Sequence, residues 1–156
     1  VREKQRERAV AVRDEVLAEV GALLGGVLVF RFGVMTMLLA GAIVVILTNL
    51  AFALLAILPP ELLYLSIVVG ADNLAGGLAG SVFIAYLSGL TNRAYTATQY
   101  ALFSSLMLLP AKFIGGFSGV VVDAYGYVNF FIYTAALGLP AIALIVFLKK
   151  YLGKPE

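Results

Sequence analysis

Residues 34–58 form an unbroken run with no charged side chain, closed by Pro59, Pro60 and Glu61. A helix of about 20 apolar residues crosses the ~30 Å hydrocarbon layer of a bilayer. Three further runs of similar length follow. Residues 62–90 are interrupted by Asp72 and Asn73, residues 97–122 contain Lys112, and residues 128–148 end at Lys149 and Lys150. Polar segments at 91–96 and 123–127 separate them. The runs are too long for strands and do not alternate, so they predict helices. A shorter run at 16–30, about 22 Å as a helix, contains Glu19 and reads as a partial span. The expected fold class is all-α, a polytopic transmembrane bundle of about four to five helices over residues 16–156. A charged N-terminal segment, 1–15, precedes it.

Composition points the same way. The chain has 156 residues, of which 62% are hydrophobic and 13% charged, against about 25% charged in an average soluble domain. Nine of the twenty charged residues fall in the first fifteen positions. The rest of so short a chain cannot bury that much apolar surface within itself, so a lipid bilayer is the expected surrounding. There is no cysteine and no histidine, which excludes disulfides, Cys/His metal sites, thiol chemistry and imidazole catalysis. No enzyme activity, cofactor or metal is expected. The net charge of +2 gives no reason to expect nucleic acid.

Charges between the runs predict topology. Arg31, Arg93 and Lys149/Lys150 alternate with Glu61 and Asp123. The first group is expected on the cytoplasmic side and the second outside. The basic N-terminus conflicts with this order if 16–30 crosses the membrane.

Two charges remain at depth. Asp72 is ten residues from Leu62, and Lys112 is ten residues from Val122. On antiparallel neighbouring helices both would sit about 15 Å from the outer surface. A charge at the bilayer centre costs about 2.5–3.5 kcal/mol on insertion scales. The two could form a structural ion pair locking the helices, or a substrate or proton site with Asn73 beside it. Without histidine, a carboxylate is the natural proton carrier. Asn73 could contact a polar ligand or bridge helices.

Glycines recur at helix-packing spacing in Gly21/Gly25, Gly76/Gly80 and Gly115/Gly119, with Gly77 and Gly116 adjoining. This spacing lets helices approach closely in lipid. Pro110 and Pro140 lie inside runs and are expected to kink them.

Particular stretches resemble known transporters. LLGGVLVFRFG (23–33) has the form of the cytoplasmic loop motif of major facilitator transporters, G-x-L-x-D-R-x-G. Gly26, Leu28, Arg31 and Gly33 match, and Phe30 stands where the acid belongs. Residues 70–148 resemble the C-terminal part of the AmpG-type muropeptide permeases. The matching pieces are Asp72-Asn73 with Gly76, Gly77 and Gly80, the loop NRAYTATQYAL (92–102), LPAKFIGGFSG (109–119) and VDAYGYVNFF (122–131). In this reading Arg31, Gly33, Asn92, Arg93 and Gln99 belong to cytoplasmic loops. The resemblance implies a twelve-helix, multi-pass permease of the inner membrane that imports anhydromuropeptides with protons. The four long runs would be its last four helices. Its partners would then be the lipid bilayer, the missing N-terminal half, a small glycopeptide substrate and a proton. The rival expectation is a small helical membrane protein that oligomerises through its glycine faces and transports nothing.

Overall fold

A computed structural model describes residues 2–91 and 96–152, and five helices account for nearly all of them. They are α1 (Arg2–Phe32), α2 (Val34–Leu55), α3 (Leu62–Leu90), α4 (Thr96–Gly116) and α5 (Ser118–Leu152). The all-α expectation holds, and no strand occurs among the described residues.

The breaks follow from local chemistry. Gly33 separates α1 from α2 at φ 80 and ψ 153, a region essentially reserved for glycine. After Leu55 the chain tightens through Ile57 N–H to Leu54 O (3.1 Å) and Leu58 N–H to Leu55 O (3.2 Å), then meets Pro59 and Pro60. Proline disfavours helix for its predecessor and cannot donate to the ladder. Residues 1–15 and 16–30, separate in the sequence reading, lie mostly in one continuous helix. From Arg2 to Arg31 there is no proline, and Arg, Lys, Glu, Gln and Ala all favour helix.

The run 97–122 divides at Phe117, where the Phe117 N–H turns back to Ile114 O at 3.1 Å. Helical bonding resumes at once, with the Val121 N–H donating to Phe117 O at 3.1 Å. The reversal into the last long segment comes at Gly126, φ 78 and ψ 164. The sequence-level turn at 123–127 is therefore one glycine. Because Phe117 splits the run, three helices rather than four among the described residues are individually long and apolar enough to cross a membrane: α2, α3 and α5.

Packing is lateral and thin. Arg13 donates to Ser66, Leu17 lies against Gly70, and Gly21 lies against Leu74. The constant offset makes α1 and α3 parallel neighbours. α2 runs antiparallel to α3, with Gly41 beside Ala79. α5 runs antiparallel to α2 through three contacts. The Thr134 hydroxyl donates to Asn49 Oδ1 at 2.9 Å, Phe131 stacks on Phe52 at 5.0 Å, and Lys149 Nζ donates to Thr36 Oγ1 at 3.2 Å. The lateral order is α1, α3, α2, α5. α4 barely touches α3 or α5.

Among the described residues the buried apolar set is small: Met37, Ala53, Ala75, Val82, Leu87 and Ala135. Phe30 is 94% exposed and Leu62 84%. Contiguous apolar surface on this scale is not sustained in water. The side chains that would form a soluble core instead face outward, as lipid requires, and this is a membrane protein.

Candidate functional site

Asp72 and Asn73 sit in the first half of α3, held by a helix that packs on two sides. The α1-facing stripe is Gly70, Leu74 and Gly77. A Cβ on Gly77 would collide with the Ala18 carbonyl, and one on Gly21 with the Leu74 carbonyl. One on Gly25 would come within 2.7 Å of Leu78 O. Small residues at these positions allow the two backbones to touch. The α2-facing stripe carries Ala79 and the buried Ala75 and Val82.

Asp72, Gly76 and Gly80 recur every fourth residue and so share a third stripe. There, Cβ atoms on Gly76 and Gly80 would meet nothing within 4 Å. Among the described residues the close approach on α3 is made by Gly77, one of the expected packing glycines and one position round the helix from Gly76. Gly115 and Gly116 at the end of α4, which stands away from its neighbours, and Gly119 in the first turn of α5 also have open space where a Cβ would be.

The Asp72 carboxylate is half-buried, and no hydrogen bond or ion pair to it occurs among the described residues. Asn73 Nδ2 donates to Val69 O at 3.0 Å, one turn back in its own helix. That bond leaves its carbonyl oxygen and second N–H available. Lys112 is exposed on α4 and forms no ion pair among the described residues. The structure therefore does not bring Asp72 and Lys112 together. The ion pair that does form among the described residues is Arg13–Asp14 at 2.6 Å, half-buried near the start of α3.

Of the loop residues, Arg31 is exposed at the end of α1, with its guanidinium 5.5 Å from the Phe32 ring centroid. Gly33 makes the α1–α2 turn. Gln99 is half-buried in the first turn of α4. Asn92 and Arg93 lie outside the described residues.

Sequence reading missed Asn49 and Thr134. Asn49 Nδ2 donates to Val45 O at 2.9 Å while its oxygen accepts from Thr134, joining α2 to α5. Asn49 carries no charge, yet an amide inside an otherwise apolar run needs a partner as surely as an ion does. The stretch LTNLAF carried that signal.

No family model matches the chain. It is 33% identical to the anhydromuropeptide permease of Escherichia coli K12 over 133 residues, 85% of this chain and 27% of the relative. It is 34% identical over 131 residues to a Rickettsia felis protein named as a transporter, AmpG 4, covering 84% of this chain and 32% of that one. It is 31% identical over 135 residues to a Rickettsia bellii protein named as a transporter, AmpG 1, covering 86% and 33%. The chain thus spans about a third of the length of these relatives.

Proposed function

We propose that this chain, a relative of the AmpG-type permeases over about 85% of its own length, is part of a proton-coupled importer of anhydromuropeptides. It would act in the inner membrane as the closing helices of a twelve-helix major facilitator transporter. The reading rests chiefly on its similarity to a protein named as an anhydromuropeptide permease, and the α3 stripe supports it. A half-buried carboxylate with no protein partner among the described residues sits above two glycines that leave the backbone open.

The chemistry suits the task. Facilitator transporters hold substrate between two helical halves and rock around it. A bare glycine face lets a bulky sugar–peptide approach a helix backbone closely. Asn73 offers one acceptor and one donor to amides or hydroxyls. Asp72 carries the proton, and Lys112 supplies a cation when α4 closes on α3. The missing N-terminal half would be the opposing wall.

The test is uptake of radiolabelled anhydromuropeptide by the full-length protein in vesicles with an imposed proton gradient. Asp72→Asn is expected to abolish accumulation against a gradient while preserving substrate exchange, which needs no net proton movement. Lys112→Ala is expected to weaken both. Undiminished proton-driven accumulation in both variants would remove the assignment.

A further inference from the structure

α3 and α5 both pack on α2 but not on each other. A groove is left between them, of about 350 Å³. Its floor is made of small residues, Gly41 from α2, Ala79 from α3 and Ala141 from α5, and its walls include Phe83, Leu144 and Leu148. Apart from the phenol of Tyr86, no lining side chain has a polar atom. Asp72, Gly76 and Gly80 do not line the groove, although Ala79 and Phe83 continue the Asp72 face about two to three turns further along α3. A sugar–peptide there would lose its water and gain almost no hydrogen bonds, which is costly. An apolar cavity of about 150 Å³ suffices to hold benzene, so this one accepts a long hydrocarbon segment.

One end of the groove is cationic. Leu148, in the wall, is followed by Lys149 and Lys150, and the Lys149 ammonium donates to the hydroxyl of Thr36, next to the lining residue Met35. Arg31 is exposed at the same end. These three are the charged side chains at that end among the described residues, and all are positive. Aromatic rings sit with them: Arg31 lies over Phe32, and Lys150 lies 5.8 Å from the centroid of Tyr151. Aromatic and basic residues together mark headgroup level, and basic pockets between transmembrane helices bind anionic headgroups.

We propose that the groove between α2, α3 and α5 is a binding site for an anionic phospholipid. An acyl chain lies along Gly41, Ala79 and Ala141, and the phosphate sits near Lys149 and Lys150. Hydrocarbon matches the apolar lining, and negative charge matches an end without described acids.

The experiment delipidates the purified protein in detergent and incubates it with equimolar phosphatidylglycerol and phosphatidylcholine. Lipid that co-elutes with the protein is then counted by mass spectrometry. Phosphatidylglycerol is expected to be enriched. The double variant Lys149→Ala/Lys150→Ala should lower that enrichment by up to about thirtyfold, at about 1 kcal/mol per cation near the surface. Ala141→Trp, on an exposed position, should fill the groove and lower retention of both lipids. Unchanged elution and helical circular dichroism confirm that each variant folds. Equal retention of the two lipids by the unaltered protein would overturn the proposal. So would retention that Ala141→Trp leaves untouched. A wild-type protein that retains no lipid would mean that another helix covers the groove, and this too would overturn the proposal.

Discussion

At the scale of single residues, adjacent glycines in α3 have opposite fates. Gly77 faces α1, where an added methyl would strike the Ala18 backbone, and backbone cannot swing aside as a side chain can. Gly76 faces open space. Overpacking costs about 1–3 kcal/mol, whereas replacing an unconstrained helical glycine with alanine gains up to about 1 kcal/mol. Gly77→Ala should therefore destabilise the chain by about 1–3 kcal/mol in denaturant unfolding from detergent micelles, and Gly76→Ala should be neutral or stabilising. Equal losses in both would mean that the assigned faces are wrong. The sequence shows that glycines cluster here. It does not show which lies against a neighbour, because that depends on the azimuth of α1, set by Leu17, Gly21 and Gly25 together. The same limit applied to Asp72 and Lys112. Their depth could be counted along each helix, but whether α4 reaches α3 could not.

At the scale of elements, long apolar runs were legible because a single continuous segment satisfies its own backbone in lipid only as a helix, and barrel strands are shorter and alternate. α3 begins and ends where its run does, at Leu62 and Leu90. Ends set by special backbone geometry were less legible. The segment DAYGY reads as a five-residue turn, yet the reversal is concentrated at Gly126, whose φ of 78 and ψ of 164 suit glycine alone. The helix break at Phe117 has no proline or positive φ behind it; its signal in the sequence is the Gly115-Gly116 pair just before it, two poor helix formers in a row. Non-glycine residues held in such backbone regions cost about 1–3 kcal/mol. Gly126→Ala should therefore lower stability in the same unfolding assay by about that amount. Gly115→Ala and Gly119→Ala, where the added methyl meets open space, should not. A neutral Gly126→Ala would show that the reversal does not need this backbone conformation.

At the scale of the whole molecule, two physical rules compete for the N-terminus. Loop charge favours placing basic residues on the cytoplasmic side, which would put the stretch before Arg13 with Arg31. Helix pairing opposes this. Arg13, Leu17 and Gly21 match Ser66, Gly70 and Leu74 in steady register, so α1 runs the same way as α3. At 31 residues, α1 is about 46 Å long, longer than the ~30 Å core. Its charged start therefore emerges beyond Leu62, beside Glu61, at the end opposite Arg31. The pairing should win. Its backbone-to-backbone approach is lost if α1 inverts, and the start of α1 mixes acids with its bases, which blunts any pull toward one leaflet. A chain without cysteine suits the measurement. Single variants Lys4→Cys, Arg31→Cys, Glu61→Cys and Lys150→Cys in sealed oriented vesicles should react with an impermeant maleimide in two groups. Lys4→Cys should label with Glu61→Cys, and Arg31→Cys with Lys150→Cys. Labelling of Lys4→Cys with the Arg31 group would separate α1 from α3 in the membrane and remove the glycine contacts that fix the Asp72 stripe.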